Sequence, residues 1–285
     1  MIDEEVMVSI CCITYNHENF IAEAIQSFLM QKNNFKFDII IGDDCSSDKT
    51  QSIIKFYSET YPGRIKLIST PTNSGPHRNL INCITHCKGK YIALCEGDDY
   101  WTNEYKLQKQ VDFLENNADF VICCHYHKVI NINNETLYVH PNPKPLVHTY
   151  TDLLAGKQEE TKTATVVYRN TPETIRLFSK PWFFECHAGD KMFKLWATQR
   201  TGGKIYVIPE VMSCYRNHKG GIWSMINTRV RMEMVISDFN LIIKNFTYSA
   251  IAKKKLLLLY IKRYLLFELQ NKRFRKAYDT LKYLL

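Results

Sequence analysis

No stretch of this 285-residue sequence approaches the roughly 20 consecutive apolar residues that a bilayer-spanning helix needs. The start, Met1-Ile2-Asp3-Glu4-Glu5, is acidic and leads into no apolar segment of signal-peptide type. A cytoplasmic chain without a transmembrane anchor is therefore expected. Cysteine is not scarce, at ten residues, but no Cys-x-x-Cys occurs, which removes the usual zinc and redox spacings. Internal repeats and low-complexity tracts are missing too, so solenoids and disordered scaffolds are set aside.

What is present suits a globular α/β protein. Hydrophobic residues make up 45% and charged residues 23%, in a chain long enough for one large domain or two small ones. Cys11-Cys12 and Cys123-Cys124 fall in apolar runs that read as strands, where neighbours face opposite sides. They are expected to be buried free thiols, in keeping with a reducing compartment. The net charge of +8 is unevenly placed. From Ala250 to Leu285 ten Lys/Arg stand against only Glu268 and Asp279, so the tail carries the whole excess.

The first 124 residues alternate between strand-like and helix-like patterns. Residues 6–12, 37–41, 64–68, 91–95 and 120–124 are buried-strand candidates. Between them, residues 18–31, 48–60, 79–87 and the stretch holding Leu107, Val111 and Leu114 carry apolar positions at helical spacing. This order predicts a largely parallel sheet covered on both faces, with ligands beyond the C-terminal strand ends. Three strands run directly into polar clusters: Thr14-Tyr15-Asn16-His17-Glu18, Asp43-Asp44 and Glu96-Gly97-Asp98-Asp99. Together they describe one site. From His125 to Trp223 the pattern is less regular, with a turn at 131–134, an extended loop at 140–148, a strand at 163–168 and a short helix at 171–178. From Asn227 onward the chain reads as helical.

Glu96-Gly97-Asp98-Asp99 is the most pointed motif. Adjacent carboxylates at a strand end repel each other and resist ionisation unless they share a cation. Mg²⁺ or Mn²⁺ bound through one or two carboxylates and diphosphate oxygens relieves that cost. An Asp pair also begins turns and caps helices, so the motif alone leaves both readings open.

In order and spacing the chain resembles the family 2 glycosyltransferases. The likeness runs from Val8 to about Cys124. It comprises Val8-Ser9-Ile10 leading to Thr14-Tyr15-Asn16, then Asp43-Asp44-Cys45-Ser46-Ser47-Asp48-Lys49-Thr50, Asn73-Ser74-Gly75 with Arg78-Asn79, Gly89-Lys90-Tyr91-Ile92 and Asp98-Asp99. The resemblance implies a GT-A fold, an α/β architecture with a Rossmann-like, mostly parallel sheet flanked by helices, here followed by a helical extension. Residues 1–124 would be the nucleotide-sugar-binding half, 125–224 the acceptor-binding half and 225–285 the basic extension. It implies a metal-dependent, inverting transfer from a nucleotide-diphosphate sugar to a hydroxyl of a saccharide or lipid-linked acceptor. Tyr15 would pack on the base and Asp44 would accept its ring N–H. Uracil is the expected base, although thymine and guanine offer the same group. Asn16, Glu18 and Arg78 would complete the nucleotide pocket, Asp98 would touch the ribose and adjoin the ion, and Asp99 would ligate Mn²⁺ or Mg²⁺. Ile13 stands where the family often has proline, which removes rigidity but no functional group.

Inverting transfer also needs a base. In the family this is an acidic residue of the second half, often just before a helix, and Gly189-Asp190 followed by Phe193, Leu195 and Trp196 fits. Asp190 is the expected base, with Glu185 as competitor and His187 a polar bystander. In Tyr215-Arg216-Asn217-His218-Lys219-Gly220-Gly221-Ile222-Trp223-Ser224 the glycine pair allows close approach to a ligand. His218 sits where many GT-A enzymes recruit a metal-binding histidine, and imidazole suits Mn²⁺ better than Mg²⁺. Arg216 and Lys219 would hold the diphosphate. Trp101 reads either as core or as an acceptor-stacking ring.

The tail interleaves basic residues with aliphatic and aromatic ones, the composition of an interfacial anchor. It would attach the protein to anionic lipid on the inner face of the cell membrane, for synthesis of bacterial surface polysaccharide or glycolipid. The alternative is a tail packed on the body with a solvated basic face. No nucleic-acid module accompanies the charge, so nucleic acid is not expected. Two rival functions are a non-catalytic sugar-nucleotide or glycan binder and a sugar nucleotidylyltransferase. The second would need a glycine-rich basic loop after the first strand, and Thr14-Tyr15-Asn16-His17-Glu18 has neither glycine nor lysine.

Overall fold

Strand β1 (Val8–Thr14) is apolar on both sides because both sides are covered. The computed structural model describes residues 5–221 and 226–285; positions 222–225, the end of the Tyr215–224 motif, lie outside the described residues. After β1 come α1 (Ile21–Leu29), β2 (Phe37–Asp43), α2 (Thr50–Thr60), β3 (Ile65–Ser69), α3 (Pro76–Ile84) and β4 (Tyr91–Glu96). Then follow β5 (Tyr100–Trp101), α4 (Lys106–Asn116), β6 (Phe120–Ile130), β7 (Thr136–Val139), β8 (Leu146–His148), α5 (Tyr150–Leu154), β9 (Val167–Arg169) and α6 (Pro172–Ile175). The chain closes with α7 (Gly189–Thr201), β10 (Lys204–Arg216), α8 (Thr228–Asn245), α9 (Ala250–Tyr260), α10 (Leu266–Gln270) and α11 (Phe274–Leu284).

The strands form one ten-stranded sheet with spatial order β3-β2-β1-β4-β9-β6-β10-β5, β7 and β8 pairing off this path. β3, β2, β1 and β4 are mutually parallel, and β6 is parallel to β10. β9 lies antiparallel between the two sets, and β5 closes the edge antiparallel to β10. The sheet is thus a mixed, mostly parallel GT-A-like sheet flanked by helices. The division expected after residue 124 falls inside β6, so the two halves share one sheet.

Alternation divides the core. Cys11 and Cys124 join the cluster under α3 and α7, whereas Cys12 and Cys123 join the one under α1 and α4. All ten cysteines are free and only Cys45 escapes full burial. Trp101 belongs to this second cluster: it is 1% exposed, donates Nε1–H to the Ala164 carbonyl and packs on Phe28. The acceptor-stacking alternative for Trp101 is therefore dropped.

Two departures from the expected elements have a physical cause. β6 runs on through His125, Tyr126 and His127, all buried, where polar side chains had suggested an exit. β10 was not expected at all, because Pro209-Glu210 interrupts its apolar run. The strand absorbs that pair in a bulge, with Ile208 opposite His125 and Val211 opposite Tyr126. Residues 163–168 prove to be a 3₁₀ turn, Thr163–Thr165, leading into the short β9.

The C-terminal extension is helical, and a π-helical turn, Ile261–Leu265, joins α9 to α10. Leu256, Tyr260, Tyr264 and Leu284 pack with Ile236, Phe239 and Ile243 of α8, and α8 itself reaches the main core through Ile242 and, just past its end, Phe246. Ile251, Leu258, Ile261, Leu266 and Leu269 remain exposed between the basic residues. No helix of the described residues is long and apolar enough to cross a membrane.

Candidate active site

The C-terminal ends of β1, β2 and β4 meet, as parallel strands packed side by side must, and bring the three polar clusters together. Asn16 takes a left-handed conformation, φ 55°, that asparagine tolerates. Its Oδ1 accepts from Ser47 N–H at 2.8 Å, while Glu18 accepts from Lys49 N–H and Asp48 accepts from Glu18 N–H, each at 3.0 Å. These bonds stitch the loop after β1 to the loop after β2 and leave Tyr15 projecting, 43% exposed. Asp44 is buried, and its Oδ1 accepts from Thr70 and Ser74 while Oδ2 accepts from Gly75 N–H at 2.8 Å. A carboxylate oxygen has two lone-pair sites, so Oδ2 has capacity for one further donor.

Beyond β4 the chain turns at Gly97, where a Cβ would lie 2.6 Å from Thr14 Oγ1. That close approach leaves Thr14 free to pair with His17 Nδ1 at 3.1 Å. Asp98 Oδ2 lies 2.9 Å from His218 Nε2 and 3.7 Å from His17 Nε2. One donor atom from each of these three residues lies within 4.8 Å of the others, a group able to hold a metal ion. Phe20 wedges behind both imidazoles, with ring centroids 6.3 Å from His17 and 4.9 Å from His218. His17, Phe20 and His218 wall a cleft of about 430 Å³ that Tyr15, Asn16, Ile132 and Lys219 also line.

Electrostatics separates the acids of the motif. Burial would raise the Asp98 carboxyl, but the hydrogen bond from His218 and the nearness of His17 outweigh it and hold it below its usual value. Asp99 is buried and is driven well above the ordinary range by that burial and by its neighbours Asp98 and Glu96. Glu96, raised by burial and by repulsion from Asp98, reaches about 8. Three crowded carboxyls of which two favour the proton suit a site that a cation completes. Asp99 stands beside the His17–Asp98–His218 group rather than in it, its Oδ1 accepting Arg216 N–H at 2.8 Å.

Asp190 occupies the first turn of α7, its side chain 36% exposed. Lys194, one turn on and only 3% exposed, donates to Asp190 Oδ2 at 2.9 Å and to Thr161 O and Oγ1 at 2.8 and 3.0 Å. Burial opposes ionisation of Asp190, but the Lys194 ammonium prevails and its carboxyl sits below the usual value. Asp238 of α8 accepts His187 N–H and Ala188 N–H at 2.8 and 2.9 Å, capping α7 from the extension. Glu96, at the end of β4, feels the charge of both Asp98 and Asp190.

The Glycosyl transferase family 2 model matches residues 9–182, more than half of the chain. The chain belongs to this family. An uncharacterized protein of Mycobacterium tuberculosis is 34% identical over 220 residues, 76% of this chain and 60% of that protein. The chain thus spans about three-fifths of the length of that relative. Among solved structures, S. aureus TarS 1-349 in complex with UDP-GlcNAc superposes with a TM-score of 0.65 at 20% identity, covering 92% of this chain and 73% of that one. The mannosyltransferase PcManGT from Pyrobaculum calidifontis, in complex with GDP-Man and Mn²⁺, gives 0.62 at 16% identity over 90% of this chain and 71% of its own. At such identities the two structures establish a shared fold.

Within this family 2 chain the residues singled out from sequence take different positions. Tyr15, His218 and Lys219 converge on the cleft, Asp98 pairs with His218 at its wall, and Asn16 lines it while bonding Ser47. The Glu18 carboxylate is spent on Lys49 N–H. Arg78 is exposed on α3, over the Phe184 ring at 5.6 Å. Arg216, expected at a diphosphate, is 4% exposed and spent inside the protein: it donates to Glu23, Asn134 and the Asp98 carbonyl and lies over Phe20. Glu185 is exposed, and His187 Nδ1 sits 3.3 Å from Asp238. Sequence reasoning assigned no role to His17, although it stood in the first polar cluster. It also missed Lys194, four residues after Asp190, whose spacing on a helix was the available signal.

Proposed function

We propose that the chain transfers a glycosyl group, with inversion, from a nucleotide-diphosphate sugar to a hydroxyl of a saccharide or lipid-linked acceptor. One observation carries this reading. Asp190, whose carboxyl a buried lysine holds low, and Asp98, which pairs with His218, both act on the Glu96 carboxyl at the end of β4. Tyr15 offers its exposed ring to the base, and Asp44 Oδ2 offers its remaining site to a ring N–H. Mn²⁺ or Mg²⁺ would be held by Asp98 and His218 with Asp99 adjoining, and would supply neutralisation of the departing diphosphate. Asp190 takes the acceptor proton as the acceptor oxygen bonds to the anomeric carbon. The bond from that carbon to the diphosphate breaks on the opposite face, which inverts the configuration. Lys219, exposed on the loop after β10, meets the diphosphate. Arg216 instead positions the motif, through the Asp98 carbonyl and the Asp99 carboxylate.

UDP is the carrier favoured here, since a fold neighbour binds UDP-GlcNAc, with GDP the alternative that the PcManGT complex suggests. The exposed Leu258, Ile261 and Leu266 among the tail's lysines support attachment to an anionic leaflet, at about 1 kcal/mol per basic residue near the surface. Such attachment suits a lipid-linked acceptor in surface polysaccharide or glycolipid synthesis. The test is a panel of UDP-, GDP- and dTDP-sugars read by thermal shift with Mn²⁺, followed by nucleoside diphosphate release on adding acceptors. One donor should stabilise the protein. If none does, and no nucleotide is released, the reading is lost.

A further inference from the structure

We propose that His17 is a third ion ligand, making the site a two-imidazole, one-carboxylate site that prefers Co²⁺ and Mn²⁺ to Mg²⁺. The inference deepens the proposed function and rests on it for the presence of an ion. The observation is the separation of donor atoms: His218 Nε2 to Asp98 Oδ2 at 2.9 Å, His17 Nε2 to the same oxygen at 3.7 Å, and all three within 4.8 Å. Bonds of about 2.1 Å place neighbouring ligands about 3 Å apart and opposite ones about 4.2 Å apart, the range in which the two distances to Asp98 Oδ2 fall. The 3.7 Å gap is too long for a hydrogen bond, so Asp98 alone does not explain where the His17 ring points.

The surroundings of His17 are those of a ligand. Its Nδ1 is 3.1 Å from Thr14 Oγ1, and a ring that donates through Nδ1 to that hydroxyl presents a bare Nε2 to the cleft. Gly97 makes the arrangement possible, since any side chain there would collide with Thr14. Phe20 packs against both imidazoles and limits their rotation. Asp98 supplies a single negative charge, and three protein ligands leave positions for two phosphate oxygens. Imidazole nitrogen raises affinity along the series toward Co²⁺, while Mg²⁺ dehydrates reluctantly and favours oxygen.

The experiment reads ion binding, not turnover. Mn²⁺, Co²⁺ and Mg²⁺ are titrated by calorimetry into the full chain, alone and with UDP or GDP. Nitrogen couplings to bound Mn²⁺ are counted by electron spin echo spectroscopy. Two imidazoles should couple in the wild type and one in His17→Phe, with Co²⁺ affinity about tenfold or more weaker in the variant and Mg²⁺ little changed. A single imidazole in the wild type overturns the inference whatever the variant does, and leaves the metal-dependent reading standing. If no divalent ion binds the wild type under any of these conditions, that reading falls as well.

Discussion

Asp98 at a strand end and Asp190 at a helix start are both held ionised, by partners of different kinds. Around Asp98 the partners are imidazoles, whose ring nitrogens can turn to an ion. Beside Asp190 the partner is an ammonium that is itself fixed by Thr161 through two further bonds. On the proposed function, the strand-end charge is exchanged for an ion and the helix-start charge is permanent. The difference fits an ion that comes and goes with the nucleotide and a base that stays ready. Asp190→Asn tests the second half of that contrast with the largest expected effect. Transfer should fall about 10²–10⁴-fold, while the Kd for nucleoside diphosphate stays unchanged. Equal activity in the variant would move the base to another residue.

Lys194→Met sharpens the same contrast. Without the ammonium the Asp190 carboxyl rises from its lowered value, so the acid limb of kcat/KM should move toward neutral pH. The limb should stay in place if Lys194 serves only to fill space. That readout separates a positioning residue from a structural one.

The strand ends were legible in sequence for a physical reason. A parallel strand buried on both faces is a continuous apolar run, and the polar residue that ends it is where the chain leaves the core. The runs leading to Thr14, Asp43 and Glu96 show this directly. The second half hides the same logic. β10 carries a proline in a bulge, and β6 carries histidines whose burial only the folded neighbours reveal. Arg216 looked like a phosphate ligand because its charge was visible, while its partners Glu23 and Asn134 lie far away in sequence. His17 was visible as a polar residue, but its meeting with His218 depends on a loop 201 residues later.

The two sites also differ in what anchors them. The loops after β1 and β2 are tied to each other and Asp98 and Asp99 to Arg216 and His218, whereas the start of α7 is tied to the extension through Asp238. Asp238→Ala leaves the N–H groups of His187 and Ala188 without their acceptor. Urea denaturation should show a loss of about 1–3 kcal/mol, with nucleotide binding by the first half little affected. A loss below about 0.5 kcal/mol, the range of ordinary surface changes, would mean that water replaces the carboxylate and that the extension does not hold the helix start.

Glu96 feels both charges and gives the smallest effect. Burial and repulsion from Asp98 raise its carboxyl to about 8, against 4.5 unperturbed, with Asp190 adding to the push and a bond from Thr163 opposing it. Between those values the folded chain holds a proton that the unfolded chain has released. Stability from this group is therefore full below about 4.5 and is lost as pH rises toward 8. Glu96→Gln cannot lose that proton, so the Tm of the wild type relative to the variant should fall between pH 5 and pH 8.5. Parallel curves would show Glu96 ionised throughout. Adding Mn²⁺ with nucleotide should shrink the divergence, because a cation at Asp98 removes the repulsion that raises Glu96. A divergence that Mn²⁺ leaves untouched would place the ion elsewhere, and the contrast between an exchangeable and a fixed charge would fail on its first term.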